Sequence, residues 1–257
     1  MLTKTRNLIE ELNANGLRYC HWKSNLALAK SLAGRTDVDL LVHRKDANIF
    51  RVILNQLCFR PAAATTGEAF PAMEHYHALD EESGIFIHVH AYYRVITGES
   101  LAKNYRFPIE DMLLQNTREI GSVRVPTKNA ELVVFTLRMM LKHTSLAELI
   151  LLARDWKQVQ HEITWLLETD STDEALRLVN CWLPSVDTGL FTDCIAALKA
   201  PAPLLRRINL GHQLRSQLSP YARRSAIRAW LSGVQKFTIM LFRRLTRPQK
   251  GMIPLSG

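Results

Sequence analysis

The stretch that decides the fold is GRTDVDLLV, residues 34–42. Asp37 and Asp39 alternate with apolar residues, and this period of two predicts a β-strand that holds both acidic side chains on one face. The apolar run at residues 40–42 would anchor that strand in a core. Two neighbouring carboxylates repel each other unless a cation lies between them. Asp37 and Asp39 are therefore candidate ligands for Mg²⁺, which prefers oxygen donors, although two solvated acids at a strand end fit the same pattern.

The residues just before this stretch predict a strand, a polar turn and a helix. The segment RYCHW, residues 18–22, is typical of a short strand, and residues 25–33 favour a helix. Ser24 is a candidate N-cap for that helix. Free N–H groups and the helix dipole attract phosphate to a helix N-terminus. Lys23, Ser24 and Asn25 are therefore candidates for contacts with a phosphate group, and Lys23 would act as a point charge.

A further predicted strand covers residues 84–93 and carries two histidines on one face. Alternation puts His88 and His90 on the same side, with Ile87 and Val89 on the other. An imidazole can act as an acid or base near neutral pH, contact phosphate or ligate a metal ion. As a ligand it suits Mn²⁺ or Zn²⁺ better than Mg²⁺. A polar sheet face without chemistry is the alternative interpretation.

The segment MEHYHAL, residues 73–79, is predicted to pair with this strand in antiparallel fashion. Its polar residues would then lie beside the two histidines. Glu74 is a candidate for a third carboxylate next to Asp37 and Asp39. An exposed strand face is the more ordinary interpretation of the same residues.

Four segments share their order with a known superfamily: HWKSN (21–25), GRTDVDLLV (34–42), IHVHAYYR (87–94) and GE (98–99). The order of strand, small polar turn, helix and acid-x-acid strand resembles the nucleotidyltransferase superfamily of the DNA polymerase β type. Within it, the chain is similar to a bacterial nucleotidyltransferase-like family. In that family the domain is often followed by a thymidylate-kinase-like P-loop domain, typically in polysaccharide gene neighbourhoods. The resemblance covers roughly residues 1–145.

This resemblance implies a metal-dependent enzyme that transfers a nucleoside monophosphate from an NTP to an unknown acceptor. Mg²⁺ or Mn²⁺ would be the ion, and the NTP would be the substrate. The implied roles are catalytic for Asp37, Asp39 and His88, nucleotide-binding for Lys23, Ser24, Asn25 and His90, and metal-binding for Asp37 and Asp39. Asp39→Asn is then expected to weaken metal-dependent nucleotide binding and to leave the fold intact, because it removes one charge from a repelling pair.

The chain departs from the family pattern at two places. Lys23 and Ser24 stand where the family has a Gly-Ser turn. His88 occupies the place of an acid in the family's acid-x-His pattern, whereas His90 matches the family histidine. A site without a third carboxylate favours the alternative of a catalytically inactive nucleotide-binding or regulatory module. Such a module would act with a thymidylate-kinase-like P-loop domain, fused or in trans.

The kinase domain itself has no signature here. No Gly-x-x-x-x-Gly-Lys-Ser/Thr pattern occurs in the 257 residues. The last segment, GMIPLSG at residues 251–257, resembles the lead-in to that domain. The chain therefore either lacks the kinase or is a piece cut just before it.

The order of predicted elements gives the fold class. We expect an α/β (α+β) fold, with a small mixed sheet flanked by helices and followed by a helical C-terminal region. A boundary near residue 125 divides the chain into a nucleotidyltransferase-like domain at 1–125 and a helical domain at 126–257 that ends in a basic helix. The segment VRVP, residues 123–126, is predicted to add an extended segment to the sheet.

Composition excludes several classes of protein. Apolar residues make up 47% of the chain and charged residues 22%, which is ordinary for a globular domain. No apolar run reaches the ~18 residues of a membrane span, and the N-terminus predicts an amphipathic helix rather than a signal peptide. The four cysteines are scattered without Cys-x-x-Cys spacing, which is typical of free thiols. We therefore expect a cytoplasmic location.

The positive charge is concentrated at the C-terminal end. Residues 201–257 contain eleven Lys and Arg and no Asp or Glu, against a formal net charge of +9 for the whole chain. Residues 222–245 predict a basic amphipathic helix, which can bind an anionic membrane surface or an acidic partner. An ordinary last helix packed on its neighbours is the alternative, and it is the one that we expect. No nucleic-acid partner is expected, because charge is the only feature in its favour.

Overall fold

The computed structural model describes residues 1–62, 72–98, 103–142, 146–168, 171–200 and 204–246. Within these ranges the fold is a mixed sheet flanked by helices and followed by a helical region, so the expected fold class is confirmed. The five strands of the main sheet are β1 (Tyr19–His21), β2 (Val38–Val42), β3 (Arg60–Pro61), β4 (Met73–Asp80) and β5 (Ile85–Tyr92). They lie in the order β1-β2-β5-β4-β3.

One face of this sheet is apolar and packs on helices. Helices α1 (Thr3–Ala14) and α3 (Ala47–Gln56) cover it, and the short helix α2 (Leu28–Leu32) adds Leu28 to the same core. The residues buried at this face come from every second position of β2 and β5, as alternation predicts: Val38, Leu40, Val42, Ile87, Val89 and Ala91. The opposite face is therefore free to carry the polar residues of the same strands.

Gly34 ends the turn that leads into β2, and its backbone explains the choice of residue. Its φ angle is +68°, in the left-handed region that favours glycine. A Cβ atom added there would lie 2.6 Å from Cγ2 of Ile85 and 2.9 Å from Cδ1 of Leu2. Because glycine lacks that atom, the chain can enter β2 close to Ile85, the first residue of β5, and bring the aspartates beside the histidine strand.

The second half of the chain is mainly helical. Its helices are α4 (Glu110–Gln115), α5 (Lys128–Lys142), α6 (Leu146–Leu166), α7 (Asp173–Trp182), α8 (Thr188–Lys199), α9 (Leu204–Gln217) and α10 (Ala226–Thr246). Helices α5 to α9 share a core with residues from the other face of the sheet, among them Trp22, Leu41 and Tyr92. The helical region thus covers the part of this face that holds Trp22, Leu41 and Tyr92. The two aspartates and the histidines of β5 lie next to the covered part. The domain boundary near residue 125 stays a prediction.

Two small hairpins join the halves, and one of them corrects the sequence analysis. Strands β6 (Val95–Thr97) and β7 (Tyr105–Phe107) form one pair. Strand β9 (Val123–Pro126) was expected to extend the main sheet, but it pairs with β8 (Thr117–Ile120) in a separate hairpin. The prediction missed β8, whose four residues show no clean alternation of apolar and polar side chains.

Helix α10 also differs from expectation, because most of its large apolar side chains that the structure describes are exposed. The exposed fractions are 73% for Ile227, 54% for Leu231 and 65% for Phe242, whereas Ala229 is buried. The expectation that this helix packs on its neighbours is therefore wrong for these side chains. The segment before the helix is held in place, since backbone N–H groups of Arg223 and Arg224 donate to Asn104.

Two further observations bear on the class of protein. None of the described helices is long and apolar enough to cross a membrane. All four cysteines are free thiols, as their spacing predicts.

Candidate functional site

Asp37 and Asp39 lie on the same face of the sheet and meet the two histidines of β5. Strand β2 runs parallel to β5, and the register places Asp39 opposite His90. Nδ1 of His88 is 2.9 Å from Oδ1 of Asp37, and Nδ1 of His90 is 3.2 Å from Oδ1 of Asp39. Nδ1 of His90 also lies 3.6 Å from Oδ2 of Asp37. The structure thus joins four residues that the sequence placed on two separate strands.

These contacts fix the tautomers of the two rings. An ionised carboxylate only accepts hydrogen bonds, so Nδ1 carries the hydrogen in both His88 and His90. Nε2 of such a ring, when the ring is neutral, carries no hydrogen and can accept a hydrogen bond or bind a metal ion. Burial, followed by the charge of His90, lowers the pKa of His88 from its ordinary value, although Asp37 opposes this shift.

Lys23 forms an ion pair that the sequence analysis did not anticipate. Its Nζ lies 2.9 Å from Oδ1 of Asp39 and donates to the hydroxyl of Tyr92 at 3.0 Å. The ammonium group also lies over the rings of Tyr92 and Trp22, at 4.8 and 5.2 Å from their centroids. Lys23, which was predicted to contact a nucleotide, is therefore the direct counter-ion of one of the two aspartates.

The ion pair sets the charge of both partners. Burial lowers the pKa of Lys23 to about 8, and Asp39 opposes that shift. The ammonium is therefore mostly charged at pH 7. Burial acts to raise the pKa of Asp39, but the charge of Lys23 and the hydrogen bond from His90 outweigh it and hold this pKa well below its usual range. The negative charge of Asp39 is consequently already balanced by the ammonium of Lys23.

Ser24 does not cap a helix, which corrects the sequence analysis. Its φ angle is +59°, in the left-handed region, and its side chain makes no capping hydrogen bond. An N-cap residue has an extended backbone instead. A short 3₁₀ helix (Asn25–Ala27) follows before α2 begins.

The backbone N–H of Asn25 has a partner in the helical region. It donates to Oε1 of Glu131 on α5 at 2.9 Å, and the Asn25 side chain bonds to Nδ1 of His21 at 2.7 Å. This N–H is therefore not free to hold a phosphate in the structure. Burial raises the pKa of Glu131 to about 7, although the bonds from Asn25 oppose it. No sequence pattern near residue 131 indicates this contact, which spans 106 positions.

Two further histidines belong to the same face and were not assigned a role from the sequence. Strand β4 pairs with β5 so that His75 lies opposite His90 and His77 lies opposite His88. Nδ1 of His75 is 3.1 Å from Nε2 of His88, and the rings of His77 and His88 stack at 4.2 Å. Burial and the neighbouring histidines lower the pKa of His75 to about 4, so this ring is neutral at pH 7. The alternation of residues 74–77 was the signal that would have found this pair.

Glu74 cannot supply a third carboxylate, and this prediction is wrong. It lies opposite Ala91 and therefore points to the apolar face of the sheet. There its carboxylate binds the guanidinium of Arg51, with Oε1 2.6 Å from Nη2, and accepts hydrogen bonds from Tyr76 and Tyr93. A residue next to a histidine on a strand faces the other way, and this is the physical reason for the error.

The donor set fits an imidazole-preferring ion better than Mg²⁺. Asp39 is paired with Lys23, and no other acid completes the pair of aspartates on this sheet face among the described residues. Mg²⁺ is bound through one or two carboxylates and water in an octahedral arrangement, and it takes imidazole poorly. The group of potential ligands that does converge consists of His75, His88 and His90. We therefore derive no catalytic step through Mg²⁺.

Comparison with known proteins gives only remote likeness. Neither a family model nor a curated protein matches the sequence. The solved structure of JHP933 from Helicobacter pylori is 9% identical with a TM-score of 0.34, and the match covers 93% of this chain and 95% of that one. A candidate nucleotidyltransferase from H. pylori is 10% identical with a TM-score of 0.33, covering 84% and 94%. Likeness at this level assigns no function, so a function has to be inferred from the side chains of the site.

Proposed function

We propose that this protein transfers a nucleoside monophosphate from an NTP to an acceptor that remains to be identified. The observation that carries the proposal is the meeting of Asp37, Asp39, His88 and His90 with Lys23 on one sheet face. Phosphoryl chemistry needs a cation for the phosphates and an anionic group near the attacking oxygen. Both lie here within a few ångströms, at the border between the sheet and the helical region.

Each residue has a distinct part in the proposal. The triphosphate would compete with Asp39 for the ammonium of Lys23, because both are anions and the ammonium has three donors. Asp37 is the more accessible acid, with 47% of its side chain exposed, and would accept the proton of the acceptor hydroxyl. His88 holds Asp37 in place through its Nδ1–H. Positioning and electrostatics would supply most of the rate.

The second candidate is a nucleotide-binding or regulatory module without catalysis. Two observations favour it: Glu74 lies on the wrong face, and the backbone N–H of Asn25 is taken by Glu131. Its partner would be a thymidylate-kinase-like P-loop domain, fused or in trans, as the sequence resemblance implies. Both candidates bind a nucleotide, but only the enzyme turns it over. Measuring NTP binding together with pyrophosphate release therefore separates them.

The test uses Asp37→Asn and each of the four NTPs. We expect the wild-type chain to bind an NTP in a calorimetric titration and to release pyrophosphate with a bacterial small-molecule extract as the source of acceptor. Asp37→Asn is expected to lower turnover by about 10²-fold or more with little change in NTP affinity, because a general base acts on the reaction and not on binding. Glu81→Gln, at an acid 82% exposed, is the control.

The outcomes divide the candidates. Binding without pyrophosphate release by the wild-type chain supports the regulatory module. Absence of binding for all four nucleotides contradicts both candidates. Equal turnover for wild type and Asp37→Asn removes Asp37 from the mechanism.

A separate prediction concerns α10 and a membrane surface. Its exposed apolar residues lie on a helix that carries Arg228, Lys236, Arg243 and Arg244 and no acid. Cutting the chain after Ser225 keeps the contacts of residues 223–224 with Asn104 and removes the helix. We expect the full chain to sediment with anionic liposomes, and the cut chain to stay in the supernatant and be more soluble. Sedimentation with neutral liposomes is the control.

Salt gives the second arm of that experiment. Exposed charges are screened over about 8 Å at physiological ionic strength, so raising the salt should weaken binding to anionic liposomes. The double variant Ile227→Glu, Leu231→Glu should lose binding in the full-length chain. Aggregation of the cut chain would show instead that the helix covers core.

A further inference from the structure

Three histidines of the sheet converge from two strands. His75 on β4 lies directly opposite His90 on β5, and His88 is two residues before His90 on the same face. One ring nitrogen from each of the three lies within 4.8 Å of the others. The three residues are half-buried, so each remains partly accessible to solvent.

The spacing of the nitrogens suits a bound ion. Nδ1 of His75 and Nε2 of His88 are 3.1 Å apart. An ion that binds imidazole nitrogens at about 2.0–2.1 Å keeps neighbouring ligand atoms about 3.0–3.4 Å apart. The two rings therefore already hold the separation of two ligands of one ion. For these two rings, binding requires the ring hydrogen of His75 to move from Nδ1 to Nε2.

The two aspartates orient the other side of the rings. His88 donates through Nδ1 to Asp37, and His90 donates through Nδ1 to Asp39. A metal-bound histidine almost always donates its second N–H to a carboxylate or carbonyl in this way, which fixes the tautomer and makes the ligand more basic. In each ring Nε2 is left as the ligand atom.

From this geometry we infer that His75, His88 and His90 bind a divalent late first-row transition-metal ion, with Zn²⁺ as the reference case. Imidazole is a preferred ligand of these ions. Three protein ligands leave a fourth position for water or a substrate oxygen. Asp37 and Asp39, which the sequence resemblance made ligands of Mg²⁺, become residues that position the ligands. The inference goes beyond the proposed function and does not depend on it, because the metal alone is the probe.

The test is a titration of the full chain, without affinity tag and after chelator treatment, with Co²⁺ followed by visible absorption. We expect a 1:1 complex with the bands of a low-coordinate Co²⁺ site, and we expect Zn²⁺ to displace them. His75→Ala and His88→Ala should each lose the bands. Asp37→Asn should keep the site and weaken its affinity by about 10–100-fold, as expected for a carboxylate behind a ligand. His161→Ala, on the exposed side of α6, is the matched control.

Thermal unfolding keeps the inference falsifiable if one variant folds poorly. Saturating Zn²⁺ should raise Tm of the wild-type chain and of His161→Ala, because it binds the folded state. It should not raise Tm of His75→Asn or His88→Asn. No Co²⁺ bands in the wild-type chain, or bands that persist in both alanine variants, would overturn the inference. NTP binding by the same wild-type protein is measured in parallel. Because the metal titration uses no nucleotide, a failure to bind metal and a failure to bind NTP are separate results.

Discussion

Replacing Asp39 with asparagine is expected to lower the free energy of unfolding by about 3 kcal/mol at pH 7. Oδ1 of Asp39 lies 2.9 Å from Nζ of Lys23, and only 15% and 17% of the two side chains are exposed. The substitution would leave a buried ammonium without its anion, which costs more than the loss of one hydrogen bond. Urea unfolding followed by circular dichroism measures the change.

Two variants show whether the ion pair is the cause. Asp37→Asn removes the accessible aspartate, whose ion-pair partners within the described part of the chain are His88 and His90, and should cost less than about 1 kcal/mol. The double variant Lys23→Met, Asp39→Asn removes both charges and should recover about 2 kcal/mol relative to Asp39→Asn, because no unpaired charge stays buried. If Asp37→Asn and Asp39→Asn lowered the unfolding free energy by the same small amount, the ion pair would not be important, and the two aspartates would be a repelling pair as the sequence predicted.

Glu131→Gln is expected to stabilise the protein by about 2 kcal/mol at pH 8 and to change little near pH 4.5. Burial raises the pKa of Glu131 from 4.5 to about 7. Between these two pH values, Glu131 keeps its proton in the folded state and loses it in the unfolded state. The contribution of Glu131 to the stability of the wild type should therefore be complete below pH 4.5 and be lost as the pH rises through about 7. Glutamine has no charge to bury, and its amide oxygen can accept the N–H of Asn25.

The measurement is the difference in unfolding free energy between wild type and Glu131→Gln at several pH values from 4.5 to 8. Other titrating groups contribute equally to both proteins, so the difference isolates Glu131. Glu119→Gln, at an exposed position, should give a flat difference. A flat difference for Glu131→Gln as well would mean that this carboxylate ionises freely.

The face of each strand was predictable because alternation is a local property. The pattern of β2 and β5 placed Asp37, Asp39, His88 and His90 on a polar face, and the structure has them there. The same rule also applies to β4 once its pairing with β5 is known. It places Glu74 on the apolar face, opposite Ala91, and His75 on the polar face, opposite His90.

By itself, then, the sequence determined the fold class, the strands β1, β2, β4 and β5 of the main sheet and which of their side chains share a face, because each follows from a period of two or 3.6 over neighbouring residues. Only the tertiary structure decided the partners. Lys23 is 16 positions from Asp39, and Glu131 is 106 positions from Asn25. Contacts across such separations depend on how strands and helices pack, and they change a side chain's charge and role without leaving a local pattern. For that reason two aspartates that resemble a Mg²⁺ site became, in the folded chain, the partners of a lysine and two histidines.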